Sequence, residues 1–354
     1  SRDMSVRGAA FLGTGAMVGA GIFALLGEAG TVAGSAVWLS FLIAGVVSAL
    51  LGYTVVKLGV RFPSSGGIIA YLMQGFGNGR LVGIASWLGY AAAIVIVCSM
   101  VAVSFGAYAT SLFVGDDAAG WWDNVFTSAV VVGMAAINLV GSRIVDKAQT
   151  VIVVLLLAVF AVFIAVTIVD IDPDLLAFSG YPSFSKILSS VALTFFAYLG
   201  FSVITFAAGD LRDPARELPR AMYGALGVTT VLYVLIALGV FGTLTVTEVI
   251  GYGETAIAEA ARPALGDAGF TIMAVAALLA TSSSVNATLY ASGGLTAMLA
   301  QVGQFPTFFG RGSRLGPHAG LLITAGPVLG LASALAIAES WAAGSASALV
   351  VSII

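Results

Sequence analysis

Long apolar runs separated by short polar clusters dominate this chain. A helix that crosses a bilayer needs about 20 mostly apolar residues. Ten such stretches occur, near residues 8–29, 35–58, 81–113, 124–142, 147–169, 185–209, 219–246, 266–300, 319–338 and 344–354. Barrel strands would read as short segments of alternating polarity, a pattern this sequence lacks. Two stretches interrupt the series. Residues 62–79 (FPSSGGIIAYLMQGFGNG) are glycine-rich and predict a short surface helix with turns before the third span. Residues 251–265 predict short helices outside the membrane between spans seven and eight. The prediction is an all-α membrane protein with no separate soluble domain.

Composition sharpens this. The chain is 60% hydrophobic and 9% charged, with a mean hydropathy of +1.08. A soluble domain carries about 25% charged residues, so most of this surface must face lipid. The net charge of −3 leaves no basic footprint for nucleic acid. A single cysteine, Cys98, excludes an intramolecular disulfide framework, and a single histidine, His318, excludes a His-rich metal site. The chain begins at Ser1 without a methionine and stops at Ile354 within an apolar run, which reads as a piece of a longer protein whose tenth span is incomplete.

Charge also orients the spans. With the N-terminus placed in the cytoplasm, all but Lys186 and Arg262 of the 14 lysines and arginines fall on that side. This is the bias that sets membrane topology. The expected location is the plasma membrane.

Two spans carry unusual chemistry. The first contains Gly13, Gly15, Gly19 and Gly21, four weak helix formers within nine residues. An unwound backbone at that depth must line a cavity, and the free N–H groups opening its outer half would suit a carboxylate. The competing reading is a packing face, because Gly15 and Gly19 form a GxxxG pair. The sixth span has the glycine-interrupted sequence Thr194-Phe195-Phe196-Ala197-Tyr198-Leu199-Gly200-Phe201-Ser202. Five spans separate the two sites. A repeat unit with an odd number of spans must insert with opposite topology, so the pattern predicts an inverted repeat, with halves 1–170 and 171–354.

Four motifs, taken in order, resemble those of the amino acid–polyamine–organocation transporter superfamily. They are Gly19-Ala20-Gly21-Ile22-Phe23 in the first span and Phe62-Pro63-Ser64-Ser65-Gly66-Gly67 with Tyr71 after the second. Phe196-Ala197-Tyr198-Leu199-Gly200-Phe201 then leads to Asp213-Pro214-Ala215-Arg216-Glu217-Leu218-Pro219-Arg220, and Gln304-Phe305-Pro306 follows the eighth span. The resemblance covers the whole chain, although members usually have about two more spans.

The resemblance implies a five-plus-five inverted-repeat fold with spans one and six discontinuous, and an amino acid permease working by alternating access. It implies that N–H groups of Ala20, Gly21 and Ile22, beside Gly19, hold the substrate carboxylate. Carbonyls near Met17, Phe196, Ala197 and Leu199 would hold its ammonium group, and Phe196 would cover the pocket. Tyr90, Ile94 and Thr288 would line the side-chain end. Members often carry an acid where this chain has Ser202. With no charge deep in any span, a neutral amino acid is favoured over a cationic one. Polyamines or other organic amines are the alternative substrates, and a sensor that binds without flux is the alternative function.

The resemblance also implies where a coupling sodium would sit, at the hydroxyls of Ser283 and Ser284 with carbonyls of Gly15, Val18 and Ala280. Serines in membrane helices also bond their own helix or permit close packing. Proton coupling lacks a mid-membrane carboxylate, Glu28 being expected near the external mouth, and uncoupled exchange is the third option. A channel would need rings of carbonyls or charges, and an enzyme would need a catalytic pair within a span. Neither is found. The expected partners are therefore a small-molecule substrate and the lipid bilayer, with the oligomeric state unassigned.

Overall fold

The computed structural model describes residues 4–64, 66–77, 79–115, 121–140, 142–252, 256–304, 324–331 and 333–334. The regular elements among the described residues are all helices, with no strand among them. The helices are α1 (Val6–Ala33), α2 (Val37–Arg61), α3 (Gly67–Phe76), α4 (Arg80–Gly89), α5 (Val97–Phe113), α6 (Trp121–Val140), α7 (Ser142–Thr167), α8 (Phe184–Tyr198), α9 (Pro214–Thr243), α10 (Val246–Tyr252), α11 (Ala256–Ala260) and α12 (Arg262–Gln301). A π-helical turn, Tyr90–Ile96, joins α4 to α5 into one long span, and a 3-10 stretch, Leu199–Gly209, extends α8.

Eight of these stretches are long and apolar enough to cross a membrane. They coincide with the first eight spans expected from sequence. Half of the ninth expected span and all of the tenth fall on residues outside those described, as do His318, Phe305 and Pro306. The surface helix expected within 62–79 is α3, and the short helices expected near 251–265 are α10 and α11. Helix α10 starts on a capping box: the Glu248 carboxylate accepts from the Thr245 N–H and hydroxyl, and the Thr245 hydroxyl accepts from the Glu248 N–H.

Helices α1, α2, α8 and α9 pack together, α5 and α6 pack with α12, and both α1 and α7 lie against α12. Buried hydroxyls stitch the first group. Ser40 and Ser190 share a short hydrogen bond, Thr194 donates to the Ser40 carbonyl at 3.1 Å, and Tyr198 donates to the Phe41 carbonyl at 3.0 Å.

The two glycine-rich spans behave differently. The sixth breaks at Leu199, where α-helix gives way to eleven residues of 3-10 helix. Runs of 3-10 beyond three or four residues are uncommon and often mark a hinge. Here hydroxyls bond back to i−3 carbonyls, Ser202 to Leu199 at 2.9 Å and Thr205 to Ser202 at 2.6 Å, competing with the regular α ladder. The break expected in the first span is not seen, since α1 is helical from Val6 to Ala33. Its glycines serve close approach instead. A Cβ on Gly19 would stand 2.1 Å from the Ala280 carbonyl oxygen, and one on Gly21 would stand 2.4 Å from the Ala197 Cβ.

From the other side, a Cβ on Gly200 would stand 2.5 Å from the Ala16 carbonyl carbon and the Met17 nitrogen. Backbone cannot move aside as a side chain can. Gly200→Ala should therefore destabilise the fold by about 1–3 kcal/mol, as overpacking does, and lower the thermal melting temperature in detergent. The control Gly133→Ala, where nothing lies within 4 Å of the new methyl, should leave the melting temperature unchanged or raise it.

Candidate substrate-binding site

A cavity of about 330 Å³ sits at the α8 break. Phe196, Ala197, Leu199, Gly200 and Ser202 supply one wall, Ala16 of α1 a second, and Ser284 and Thr288 of α12 a third. Leu51, Val55, Ile68 and Val97 close it with apolar surface. Its size lies at the lower end of small-molecule sites, which are mostly apolar with a few polar groups. Among the described residues, no charged side chain lines it.

One tyrosine bridges the backbones of α1 and α8 beside the cavity wall at Ala16 and Ala197. Tyr233 of α9 is fully buried and donates its hydroxyl to the Met17 carbonyl at 2.7 Å, with the Ala197 carbonyl at 3.3 Å. A buried tyrosine hydroxyl needs such partners. The phenol thus spans the α1–α8 crossing, and its ring stacks edge-on against Tyr198 at 5.1 Å. Next to it, Ser284 donates to the Ala16 carbonyl at 3.2 Å. Two consecutive α1 carbonyls therefore carry side-chain hydrogen bonds at the level of the α8 break.

The expected site residues divide into three groups. Phe196, Ala197, Leu199, Ser202 and Thr288 line the cavity, and Phe196 and Leu199 are the exposed ones at 37% and 41%. Met17, Gly19, Gly21 and Ile22 lie within α1, with Met17 and Ile22 fully buried. Because α1 is continuous there, the N–H groups of Ala20, Gly21 and Ile22 belong to the helical ladder, which points each N–H at the carbonyl four residues earlier. Tyr90 and Ile94 form a third group. They are buried in the π-helical turn rather than on the cavity, and the Tyr90 hydroxyl lies 2.9 Å from that of Thr324. Val97, one turn on, takes the wall position instead.

The residues of the expected sodium set also lie together at the α1–α12 contact. Ser283 Oγ accepts from Gln149 Nε2 at 2.6 Å, Ser284 Oγ donates to Ala16, and the Ala280 carbonyl faces the bare flank of Gly19. Glu28 is exposed. Sequence reasoning missed Tyr233 and Gln149. A lone tyrosine in the aliphatic middle of span seven, and a glutamine one residue inside the apolar run of span five, were the available signals.

Contacts gather at the end of the bundle that holds the α1 N-terminus. The Met4 N–H donates to the Asp210 carbonyl at 3.3 Å, and the Tyr290 hydroxyl donates to the Asp210 carboxylate at 2.5 Å. Ser5 Oγ lies 3.5 Å from the Asp146 carboxylate, which also abuts Gly8. These contacts tie α1, α7, α12 and the end of the 3-10 stretch together below the cavity.

The profile of the amino acid permease family matches residues 4–354. Among similar proteins, the inner membrane transport protein YbaT of Escherichia coli (strain K12) is 35% identical over 280 residues, covering 79% of this chain and 65% of that protein. The serine/threonine exchanger SteT of Bacillus subtilis (strain 168) is 25% identical over 280 residues, covering 77% of this chain and 62% of that protein. The matched region thus spans less than two-thirds of either relative. In structure, the chain resembles MhsT, solved in complex with L-phenylalanine, with a TM-score of 0.66 and 16% identity over 92% of this chain and 78% of that one. That likeness gives the fold, a five-plus-five inverted repeat. A permease-family profile along the whole chain, joined to the broken sixth span and its cavity, makes this multi-pass membrane protein a member of the amino acid permease family.

Proposed function

We propose that the whole protein is a secondary transporter of neutral amino acids, working by alternating access in the plasma membrane with its N-terminus in the cytoplasm. The observation that carries this reading is the uncharged cavity at the α8 break. A zwitterion brings its own pair of opposite charges and needs dipoles rather than a buried counter-charge. An additional ammonium group would enter a low-dielectric site with no carboxylate to pair with it, at a cost of several kcal/mol.

The substrate ammonium group sits against the carbonyls now gathered at the crossing, those of Met17 and Ala197. Its carboxylate takes N–H groups of Ala20, Gly21 and Ile22, released as α1 loosens at Gly19 and Gly21. Substrate binding and helix opening are then one event. The helix gives up ladder bonds only when a carboxylate replaces them, because unsatisfied backbone is costly at this depth. Phe196 and Leu199 cover the occupied pocket, and Thr288 with Ser202 meets the side-chain end. The contacts at the α1 N-terminus make the opposite side the first route of entry. Release into the cytoplasm requires the Asp210–Tyr290 bond to part. In this cycle α1, α2, α8 and α9 rock against α5, α6 and α12, the halves 1–170 and 171–354 acting as the inverted pair. The serine/threonine exchanger among the relatives supports a small neutral substrate.

Full-length protein in sealed liposomes should show saturable uptake of one or more neutral amino acids. Saturable uptake only of polyamines, or binding without uptake, would contradict the reading in favour of an amine carrier or a sensor. Ser202→Asp places a carboxylate on the cavity wall and should shift selectivity toward cationic amino acids by tenfold or more, about 1.4 kcal/mol or more, as measured by competition against the neutral substrate. Tyr233→Phe removes the bridge between Met17 and Ala197 and should cost about 1–2 kcal/mol of stability while weakening substrate binding, measured by melting and by equilibrium binding.

A further inference from the structure

The fifth span carries a fully buried glutamine that the transport cycle outlined above does not use. Gln149 of α7 has no exposed surface, and neither do Ser283 and Asn286 of α12. Its Nε2 lies 2.6 Å from Ser283 Oγ and 3.4 Å from both the Ser283 and Phe11 carbonyls. Its Oε1 accepts from Asn286 Nδ2 at 2.8 Å. Asn286 Oδ1 in turn accepts from Asn138 Nδ2 at 2.7 Å, and Asn138 Nδ2 also donates to the Met134 carbonyl at 2.9 Å. Three amides on α6, α12 and α7 therefore form a relay that ends against α1.

The relay has a fixed direction. Both of its ends face backbone carbonyls, which only accept. At Met134 the Asn138 amide must present its NH₂ group, so Asn286 must present Oδ1 to Asn138 and NH₂ to Gln149. Gln149 must then turn its own NH₂ toward Ser283 and Phe11. Rotating Gln149 to present oxygen there would force both asparagines over and set the Asn138 oxygen against the Met134 carbonyl. The network holds only in the observed sense.

This bears on the coupling ion. A sodium ion in the place implied by the family resemblance needs oxygen lone pairs from Gly15, Val18, Ala280, Ser283 and Ser284. The residues present do not fit it. Ser283 Oγ and its carbonyl face the hydrogens of the Gln149 NH₂ group, and Gly15 abuts the same amide, where a Cβ would stand 2.1 Å from Gln149 Nε2. A hard cation is repelled by amide hydrogens that carry partial positive charge and already occupy the Ser283 acceptors.

We propose that the Gln149 carboxamide fills the position of a coupling sodium, a neutral donor tied to α1 and α12, so that this chain moves its substrate without sodium. The amide supplies the hydrogen-bond tether that a cation would supply by coordination, with no dependence on an ion gradient. The inference rests on the transporter reading for its consequence, but not for its chemistry.

The test uses the full-length protein in two readouts. Melting temperature in detergent is measured across a sodium chloride titration against choline chloride at equal ionic strength, and uptake in liposomes is measured with and without an inward sodium gradient. Neither the melting temperature nor the uptake rate should differ between the two salts. A saturable rise of the wild-type melting temperature with sodium, or uptake that requires the gradient, would overturn the proposal. Gln149→Glu replaces the NH₂ group by an acceptor facing the Ser283 and Phe11 carbonyls. Assayed at alkaline pH, it should gain a sodium-specific rise in melting temperature. If that variant melts identically in both salts, the assignment of Gln149 to the cation position is overturned. Should the variant fail to fold, the wild-type salt comparison still decides. No uptake in any salt, with sodium-indifferent melting, would count against the transport reading alone and support the Gln149 assignment.

Discussion

Everything at the centre of this molecule depends on how closely α1 approaches α8 and α12. In a bilayer no hydrophobic force draws one helix to another, so association rests on packing and on polar contacts. The bare flanks of Gly19, Gly21 and Gly200 bring backbone against backbone, to the point where a single added methyl at Gly200 would reach the Met17 nitrogen. That proximity lets one phenol, Tyr233, reach carbonyls on both helices and lets Ser284 reach Ala16. The same crossing supplies two walls of the cavity. Glycine content, tyrosine bridge and binding cavity are thus consequences of one geometric constraint.

The crossing also explains why the two interrupted spans differ. In the sixth, aromatic residues up to Tyr198 hold a regular helix against α2, and the hydroxyls of Ser202 and Thr205 then favour tighter i−3 bonding. In the first, the carbonyls of Ala16 and Met17 keep the helical ladder and accept an extra hydroxyl each. A carbonyl has two lone pairs, so α1 gains side-chain bonds without surrendering its backbone ones. The glycines make the helix easy to open and the hydroxyls hold it closed.

Much of this was legible in the sequence because membrane solvation leaves a coarse signal. Runs of apolar residues located the first eight spans within a few residues, and the short α3, α10 and α11 followed from glycine and polar punctuation. The break in span six was readable from Tyr198-Leu199-Gly200. The unbroken state of α1 was not, because weak helix propensity at Gly13, Gly15, Gly19 and Gly21 fits packing and unwinding equally well, and only the neighbouring helix decides between them. The family resemblance implied that Tyr90 and Ile94 line the pocket, and the π-helical turn at Tyr90–Ile96 shifts the faces that those residues present. Gln149 escaped notice because a search for charge in span five passes over an amide, yet a neutral side chain can hold the same acceptors as an ion.

The claim that the α8 cavity receives a neutral amino acid can be tested most directly by protection from labelling. Cys98 is buried and is the sole cysteine of the sequence, so a Ser202→Cys variant offers one reactive thiol on the cavity wall. The rate of its modification by a small maleimide is measured with and without each of a panel of amino acids. Slower labelling, saturable and confined to neutral amino acids, is the result this account predicts. Labelling that no neutral amino acid slows, in protein that still takes up or binds one, would place the substrate elsewhere and contradict it.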